Sequence, residues 1–323
     1  MLILIIFSIN MNNVDIVGLG EVVVDWVTEI PNFPKPDEKI NAISENYFSG
    51  GGTPNYLVDV ARLGVSCGFI GAVGDDPYGD FLIEDFRNEK VDTKFTLKRK
   101  GKKTPVNFIF VVKGEKTIIQ SPHMLTTKLD LTDLEETYIS KSKVLHTTLI
   151  HPKLSERAIK LALEYGVKIS IDLESQIAQQ GWNNLKKMLL NADILIPNKE
   201  GPKMITKCKN SKDAAKKLVE YGIPIVIITL GNKGALVTTE EFQKEIPAYN
   251  SENIVDTTGA GDAFNGAFSV AYWIKNWTLE KSIKFANGAA ALKIQKLGAR
   301  TGMPNEAKLL QFLKENGEIN LFN

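Results

Sequence analysis

Asp256-Thr257-Thr258-Gly259-Ala260-Gly261-Asp262-Ala263-Phe264-Asn265-Gly266 runs a glycine-rich turn straight into an apolar helix, with an acid in the first helical turn. The first N–H groups of a helix lack intrahelical acceptors, so the amides of Gly259, Ala260 and Gly261 can hold an anion. Asp262 beside them can take a proton from an attacking hydroxyl. Together they supply two needs of phosphoryl transfer: charge stabilisation and a base. The stretch is not a Walker A loop, because the terminal Lys-Ser/Thr is missing. The plainer alternative is a glycine-rich loop capped by an aspartate.

Outward from this stretch, short apolar runs alternate with amphipathic segments. Strands are expected at Ile16–Leu19, Cys67–Ala72, Val144–Thr147, Lys168–Asp172, Ile194–Pro197 and Ile225–Thr229. Helices are expected at Asn55–Leu63, Tyr78–Glu89, Ser155–Tyr165, Trp182–Leu190, Lys212–Tyr221, Gly261–Lys275, Lys281–Gln295 and Glu306–Glu315. The helical period shows in Ala214, Leu218 and Val219, and in Ala158, Leu161 and Ala162. Alternating apolar strands and helices predict a parallel sheet covered on both faces.

Residues 21–49 and about 95–120 break the rhythm. They read as short strands: Val22–Trp26, Lys39–Phe48, Phe95–Lys98, Val106–Val112 and Thr117–Gln120, with a hairpin turn at Gly114-Glu115. These segments are expected to pair into a small sheet that projects like a lid. No repeat or low-complexity linker divides the chain, so residues 12–323 are expected to form one unit. The start, Met1–Ile9, is apolar, lacks a basic n-region and a cleavage site, and is too short to span a bilayer. Translation is expected to start at Met11, with the preceding residues an extension.

The 323 residues are 43% hydrophobic, enough for a large α/β core. Lys+Arg is 39 and Asp+Glu is 38, a balance that argues against nucleic acid as a partner. Cys67 and Cys208 form no CxxC pair, which fits a reducing cytoplasm. His123, His146 and His151 show no zinc-type spacing with them. No membrane association is expected.

A second motif, Ser49-Gly50-Gly51-Gly52-Thr53-Pro54-Asn55, precedes a helix. Consecutive glycines allow close approach of backbone to ligand and can serve as a hinge. Asn55 offers both a donor and an acceptor to a hydroxyl. Asp25 ends the apolar run Val22-Val23-Val24, where a charge needs a partner or water.

With both motifs in this order, the chain resembles the ribokinase-like (PfkB) family of sugar and nucleoside kinases, from about Val14 to Pro304. The resemblance implies a three-layer α/β/α sandwich with a mostly parallel central sheet and a small β-sheet lid. Gly18-Leu19-Gly20-Glu21 with Asp25 resembles the family's opening strand and sugar-binding acid, and Gly50-Gly51 with Asn55 its hinge and sugar contact. Val226–Ala235, with Thr229, Gly231 and Gly234, resembles the nucleotide-side strand and turn. Asn287 and Gly298-Ala299 resemble late adenine-side and cation-side elements. Asp256–Asp262 resembles the anion hole and its catalytic base.

What the resemblance implies is a concrete reaction. A small sugar sits between the sheet's carboxyl edge and the lid, held by Asp25 and Asn55. Asp262 deprotonates a primary hydroxyl, which attacks the γ-phosphate of ATP, with Gly259, Ala260, Gly261 and Mg²⁺ offsetting the charge. The family's Asn-x-x-Glu after the Ile194–Pro197 strand stands here as Asn198-Lys199-Glu200-Gly201, its acid one place early. Glu200 or the carboxylates of Asp172 and Glu174 are then the candidates for organising magnesium. Asp256 and Thr258 are candidates for a monovalent cation such as K⁺. A homodimer through the lid is a further option carried over from relatives.

Three other functions compete. A nucleoside kinase on the same scaffold needs room for a base, which Trp26, Phe48 and Phe110 can line; Pro31–Glu38 favours the sugar branch. A binding sensor without turnover would explain the altered Asn-x-x-Glu, but the intact Asp262 and glycine turn oppose it. A dinucleotide oxidoreductase is weaker, since Gly18-x-Gly20 lacks its third glycine.

Overall fold

The computed structural model describes residues 13–318, apart from 114, 126–127 and 252. Met1 to Met11 and Gly114 lie outside it, and with them the expected start at Met11 and the centre of the hairpin turn.

β1 (Ile16–Leu19) opens the larger sheet. The chain then leaves it for β2 (Val23–Glu29) and β3 (Ser44–Gly50) of a second sheet, and returns for β4 (Cys67–Gly74) and β5 (Thr96–Arg99). A second excursion, β6 (Val106–Val112) and β7 (Glu115–Gln120), completes the small sheet. β8 (Val144–Thr147), β9 (Lys168–Ile171), β10 (Ile194–Leu195), β11 (Val226–Thr229), β12 (Ala235–Thr238) and β13 (Gln243–Ile246) extend the large one. Among the described residues the orders are β13-β12-β11-β10-β9-β8-β1-β4-β5 and β3-β2-β6-β7.

The large sheet is parallel from β5 through β11, and β12 and β13 turn back antiparallel at its edge. Helices cover both faces, so residues of central strands such as β1, β4 and β8 are buried whichever way they point. Ile16, Ile194 and Ile227 pack under the helices Gly52–Arg62, Ala260–Ser269 and Leu279–Lys293. Val17, Leu145 and Ile169 point the other way, toward Pro152–Glu164 and Trp182–Leu189. This alternation is the period of two that a strand imposes.

Two expectations are corrected. The segment expected at Phe95–Lys98 as part of the lid is β5, and it pairs parallel with β4 at the edge of the large sheet. Short strands of mixed burial do not say which sheet they join. The helix expected over Gly261–Lys275 is α-helical only to Ser269 and continues as a π turn over Val270–Ile274. The antiparallel strands β12 and β13 lie outside the expected strands.

β1 lies between β4 and β8, so the chain departs to one side of it first and to the other later. In open α/β sheets, the crevice at the strands' carboxyl ends by such a switch is where ligands bind.

Candidate active site

Those carboxyl ends bring three strand ends up to the glycine turn. Asp172 and Glu174 follow β9, Asn198 follows β10 and Thr229 ends β11. They line a cavity of about 370 Å³ together with Gly261, Asp262 and Asn265. Beside it lies a second cavity of about 330 Å³, bounded by Gly231, Gly234, Ile254, Asn287, Ala291 and Ile294 among others. Thr229 and Gly261 belong to both walls. The first cavity is carboxylate-rich and the second largely apolar, and they meet at the glycine turn.

The turn takes its shape from Gly259, which caps the helix Ala260–Ser269 with φ 79°, a left-handed conformation. A Cβ there would also stand 2.4 Å from the carbonyl oxygen of Ala299. The Ala260 N–H is not available to an anion as expected, for it donates to Thr257 O at 3.2 Å. Gly261 is exposed, with open space where a Cβ would stand. Asp256 anchors the other end of the turn. Its Oδ1 accepts from Thr258 N at 3.0 Å, Thr258 Oγ1 at 2.7 Å and Lys116 Nζ at 2.8 Å, and its Oδ2 accepts from Gly298 N at 2.9 Å. Burial works against its charge, but these donors hold its pKa well below the ordinary value.

Asp262 is in the opposite condition. Loss of hydration pushes its pKa up to about 7; the nearby Glu174 adds to the rise, while Asn55, Arg300 and Lys293 oppose it. Asn55 Nδ2 donates to Asp262 Oδ2 at 2.7 Å. Arg300 Nε donates to Asn55 Oδ1 at 2.8 Å. Because arginine only donates, this contact fixes which end of the Asn55 amide is oxygen and turns the NH₂ toward Asp262. Arg300 is itself buried and paired with Asp85.

Beyond Asn55 lies the small sheet. The register of β2 with β6 sets Asp25 beside Asn107, whose Nδ2 donates to Asp25 Oδ1 at 2.8 Å. Gly50 lets β3 pass close to the same carboxylate, where a Cβ would stand 2.4 Å from Oδ2. Asn107 Oδ1 and Arg300 Nη2 are buried with no protein hydrogen-bond partner among the described residues. Buried atoms of this kind ask for a ligand or water. Burial raises the pKa of Asp25, and burial with the nearby Glu174 lifts Glu21 to about 7.

The structure thus brings Asp25, Gly50, Gly51, Asn55, Gly259, Gly261 and Asp262 to one side of the crevice. Thr229, Gly231, Gly234 and Asn287 line the apolar cavity. Asn287, expected as an adenine contact, has its Nδ2 donating to the carbonyls of Pro247 at 2.9 Å and Ile246 at 3.3 Å. Its amide pins the β13 exit and leaves only part of its surface to the cavity.

Glu200 is not brought to the site. Its carboxylate pairs with Lys203 one helical turn on, at 2.7 Å. Gly201 sits where a Cβ would come 2.8 Å from Leu173 O, so no acid fits there without moving the backbone. Asn198 Oδ1 instead accepts from Ser175 Oγ and from the N–H groups of Glu200 and Gly201. Among the described residues no three His, Cys, Asp or Glu side chains converge to cage a metal. Asp172 and Glu174 offer hard carboxylate oxygens along one wall, which suits an ion that shares its shell with water and phosphate. Burial, with the charges of Glu174 and Asp262, raises the pKa of Asp172 well above the ordinary value. A cation would relieve that repulsion.

The sequence did not point to Arg300, Asn107, Lys116 or Lys293. Glu21 stood in view within Gly18–Glu21, but as a motif position rather than a buried acid. His146 proves structural: it stacks on Tyr56 with centroids 3.7 Å apart, and burial lowers its pKa to about 3.

A family model described as pfkB family carbohydrate kinase matches residues 13–306. The chain belongs to the pfkB family of carbohydrate kinases. The kinase is therefore a phosphotransferase. It is 30% identical over 298 residues to a ribokinase of Staphylococcus aureus, an alignment covering 90% of this chain and 96% of that one. The ribokinase structure from Thermotoga maritima superposes with a TM-score of 0.81 at 29% identity, covering 93% of this chain and 99% of the other. An Arabidopsis thaliana ribokinase complexed with ribose and ATP superposes with a TM-score of 0.84 at 24% identity, over 94% and 99% of the two chains. The fold is ribokinase-like: a large, mostly parallel sheet between helical layers, with a smaller separate sheet.

Proposed function

We propose that the kinase transfers the γ-phosphate of ATP to a primary hydroxyl of a small sugar, with Asp262 as general base and the Gly259 and Gly261 amides of the turn as anion hole. The observation that carries this reading is the junction of the two cavities at Thr229 and Gly261, with Asp262 just beyond it. An adenine ring suits the apolar cavity. The phosphate chain then crosses Gly261, and its far end faces the carboxylate cavity.

The sugar would lie between Asp262 and the small sheet. Asp25 and Asn55 bind its hydroxyls, and Asn107 Oδ1 offers a further acceptor. Asn55 also aligns the Asp262 carboxylate on the attacking oxygen. A base whose pKa is about 7 can accept the hydroxyl proton at neutral pH. Magnesium, held through Asp172 and Glu174, would draw charge from the phosphate oxygens. The small sheet would act as the lid that keeps water from the phosphate.

The test is ADP release with Mg-ATP across ribose, fructose and other free sugars, with adenosine and cytidine alongside, in wild type and Asp262→Asn. Release that depends on a sugar and is lost in the variant supports the reading. Release with nucleosides alone would move the acceptor to a nucleoside. Equal turnover in Asp262→Asn would falsify the role of the base.

A further inference from the structure

The corner formed by Asp256 and Thr258, where a monovalent cation is expected from the family resemblance, already holds two ammonium groups. Lys116 Nζ, from β7 of the small sheet, lies 2.8 Å from Asp256 Oδ1 and also donates to Thr258 Oγ1. The Thr258 hydroxyl passes its own proton to Asp256 Oδ1 at 2.7 Å, so it can accept from Lys116 without conflict. With the Thr258 and Gly298 amides added, both carboxylate oxygens have donors.

The backbone side is filled in the same way. Lys293 is fully buried, and its Nζ donates to the carbonyl oxygens of Asp256 at 2.7 Å and Lys296 at 3.5 Å. A lysine ammonium has three donors and no acceptor. Both Asp256 carboxylate oxygens, the Thr258 hydroxyl and the Asp256 and Lys296 carbonyls are therefore already bonded, and a metal cation among them would meet like charge.

The two lysines differ in origin. Lys293 belongs to the same layer as the turn, on the helix Leu279–Lys293, whereas Lys116 reaches across from the small sheet. Phe48 of β3 touches the same corner: a Cβ on Gly298 would stand 3.0 Å from its Cε1. The small sheet thus contacts the anion-hole loop through a charge and the adjoining Gly298 loop through a ring.

We propose that Lys116 is the resident cation of the anion-hole loop, a positioning residue that stands in for a monovalent metal and ties the shape of the loop to docking of the small sheet. The inference rests on the chain being a kinase, but not on which sugar it uses.

The experiment compares potassium chloride with tetramethylammonium chloride at matched ionic strength, in wild type, Lys116→Met and Lys116→Arg. Three readouts are followed: turnover, thermal melting with ATP, and broadening of the ²⁰⁵Tl⁺ resonance as a potassium substitute. Wild type should turn over within about twofold in the two salts and leave the thallium line sharp. Lys116→Met should lose about tenfold or more in kcat in tetramethylammonium, the scale of a lost charge-assisted hydrogen bond. It should regain activity in potassium and now bind thallium. Lys116→Arg should keep wild-type turnover in both salts. A merely structural lysine would not be rescued by an ion. Strong potassium activation or thallium binding in wild type overturns the proposal, as does full activity of Lys116→Met in tetramethylammonium. The thallium and melting arms need no sugar, so a failure to find the substrate leaves the proposal decidable. If Lys116→Met does not fold, the wild-type salt comparison decides alone.

Discussion

Asp256 and Asp262 stand at the two ends of one glycine turn, and their surroundings drive them in opposite directions. Asp256 has donors on both oxygens, from Lys116, Thr258 and Gly298, so it stays ionised despite burial. Asp262 has Asn55 as its hydrogen-bond donor, and the acid Glu174 close by, so burial dominates and its pKa climbs to about 7. The difference teaches how to tell an anchor from a base. An acid surrounded by donors has no use for a proton. An acid in a dehydrated cavity with one neutral donor is ready to take one.

The largest expected effect comes from removing the base. Asp262→Asn should lower kcat by ~10²–10⁴-fold, as befits loss of general-base catalysis. ATP affinity, measured by calorimetry, should hardly change. In wild type, kcat/KM should rise with pH and level off above about 7, where Asp262 is ionised. A flat profile, or the same acidic limb in the variant, would mean that another group is titrating.

The same two acids make opposite demands on stability. The folded-state pKa of Asp262 is raised, so the folded protein holds a proton that the unfolded chain releases from about pH 4 upward. Its contribution is full below that value and is lost as pH rises through about 7. Asp262→Asn has no such group. Its stability in urea should therefore gain on wild type between about pH 5 and pH 8. Asp256 works the other way: its pKa is lowered, so its contribution is full above the ordinary carboxylate pKa and is lost as pH falls. Asp256→Asn should cost about 2 kcal/mol at neutral pH, less than the roughly 3–5 of a fully buried pair because Lys116 is part exposed. That cost should shrink in acid. If both variants shift with pH in the same sense, the contrast between anchor and base is wrong.

The parts of this site that could be read from the chain are those built from local backbone. The turn Gly259–Gly261 owes its shape to consecutive residues, and Asp262 follows them in the first helical turn. Strand and helix positions followed from apolar periodicity in the same way, within a residue or two for most elements. What escaped depends on contacts between distant segments. Arg300 reaches Asn55 and Lys116 reaches Asp256 across the fold, and no local pattern marks a lysine or arginine for such a partner. β5 had a strand's composition, but its sheet is set by pairing with β4. Glu200 shows the reverse failure, for a motif position was filled by the right residue type but one place off in register.

That register sets the smallest expected effect. One residue along a helix turns a side chain through about 100°, since there are 3.6 residues per turn. Glu200 accordingly faces Lys203 and not the cavity, while Gly201 takes the inward position with no room for a side chain. If Asp172 and Glu174 have taken over the acid's work, Glu200→Gln should leave turnover and the magnesium concentration for half-maximal rate within about twofold. Its stability cost should not exceed the roughly 0.2–0.5 kcal/mol of a helical ion pair. Glu174→Gln, by contrast, should raise the magnesium requirement. A larger magnesium shift in Glu200→Gln than in Glu174→Gln would show that the helix rotates Glu200 inward when nucleotide binds, and that Lys203 is only its resting partner.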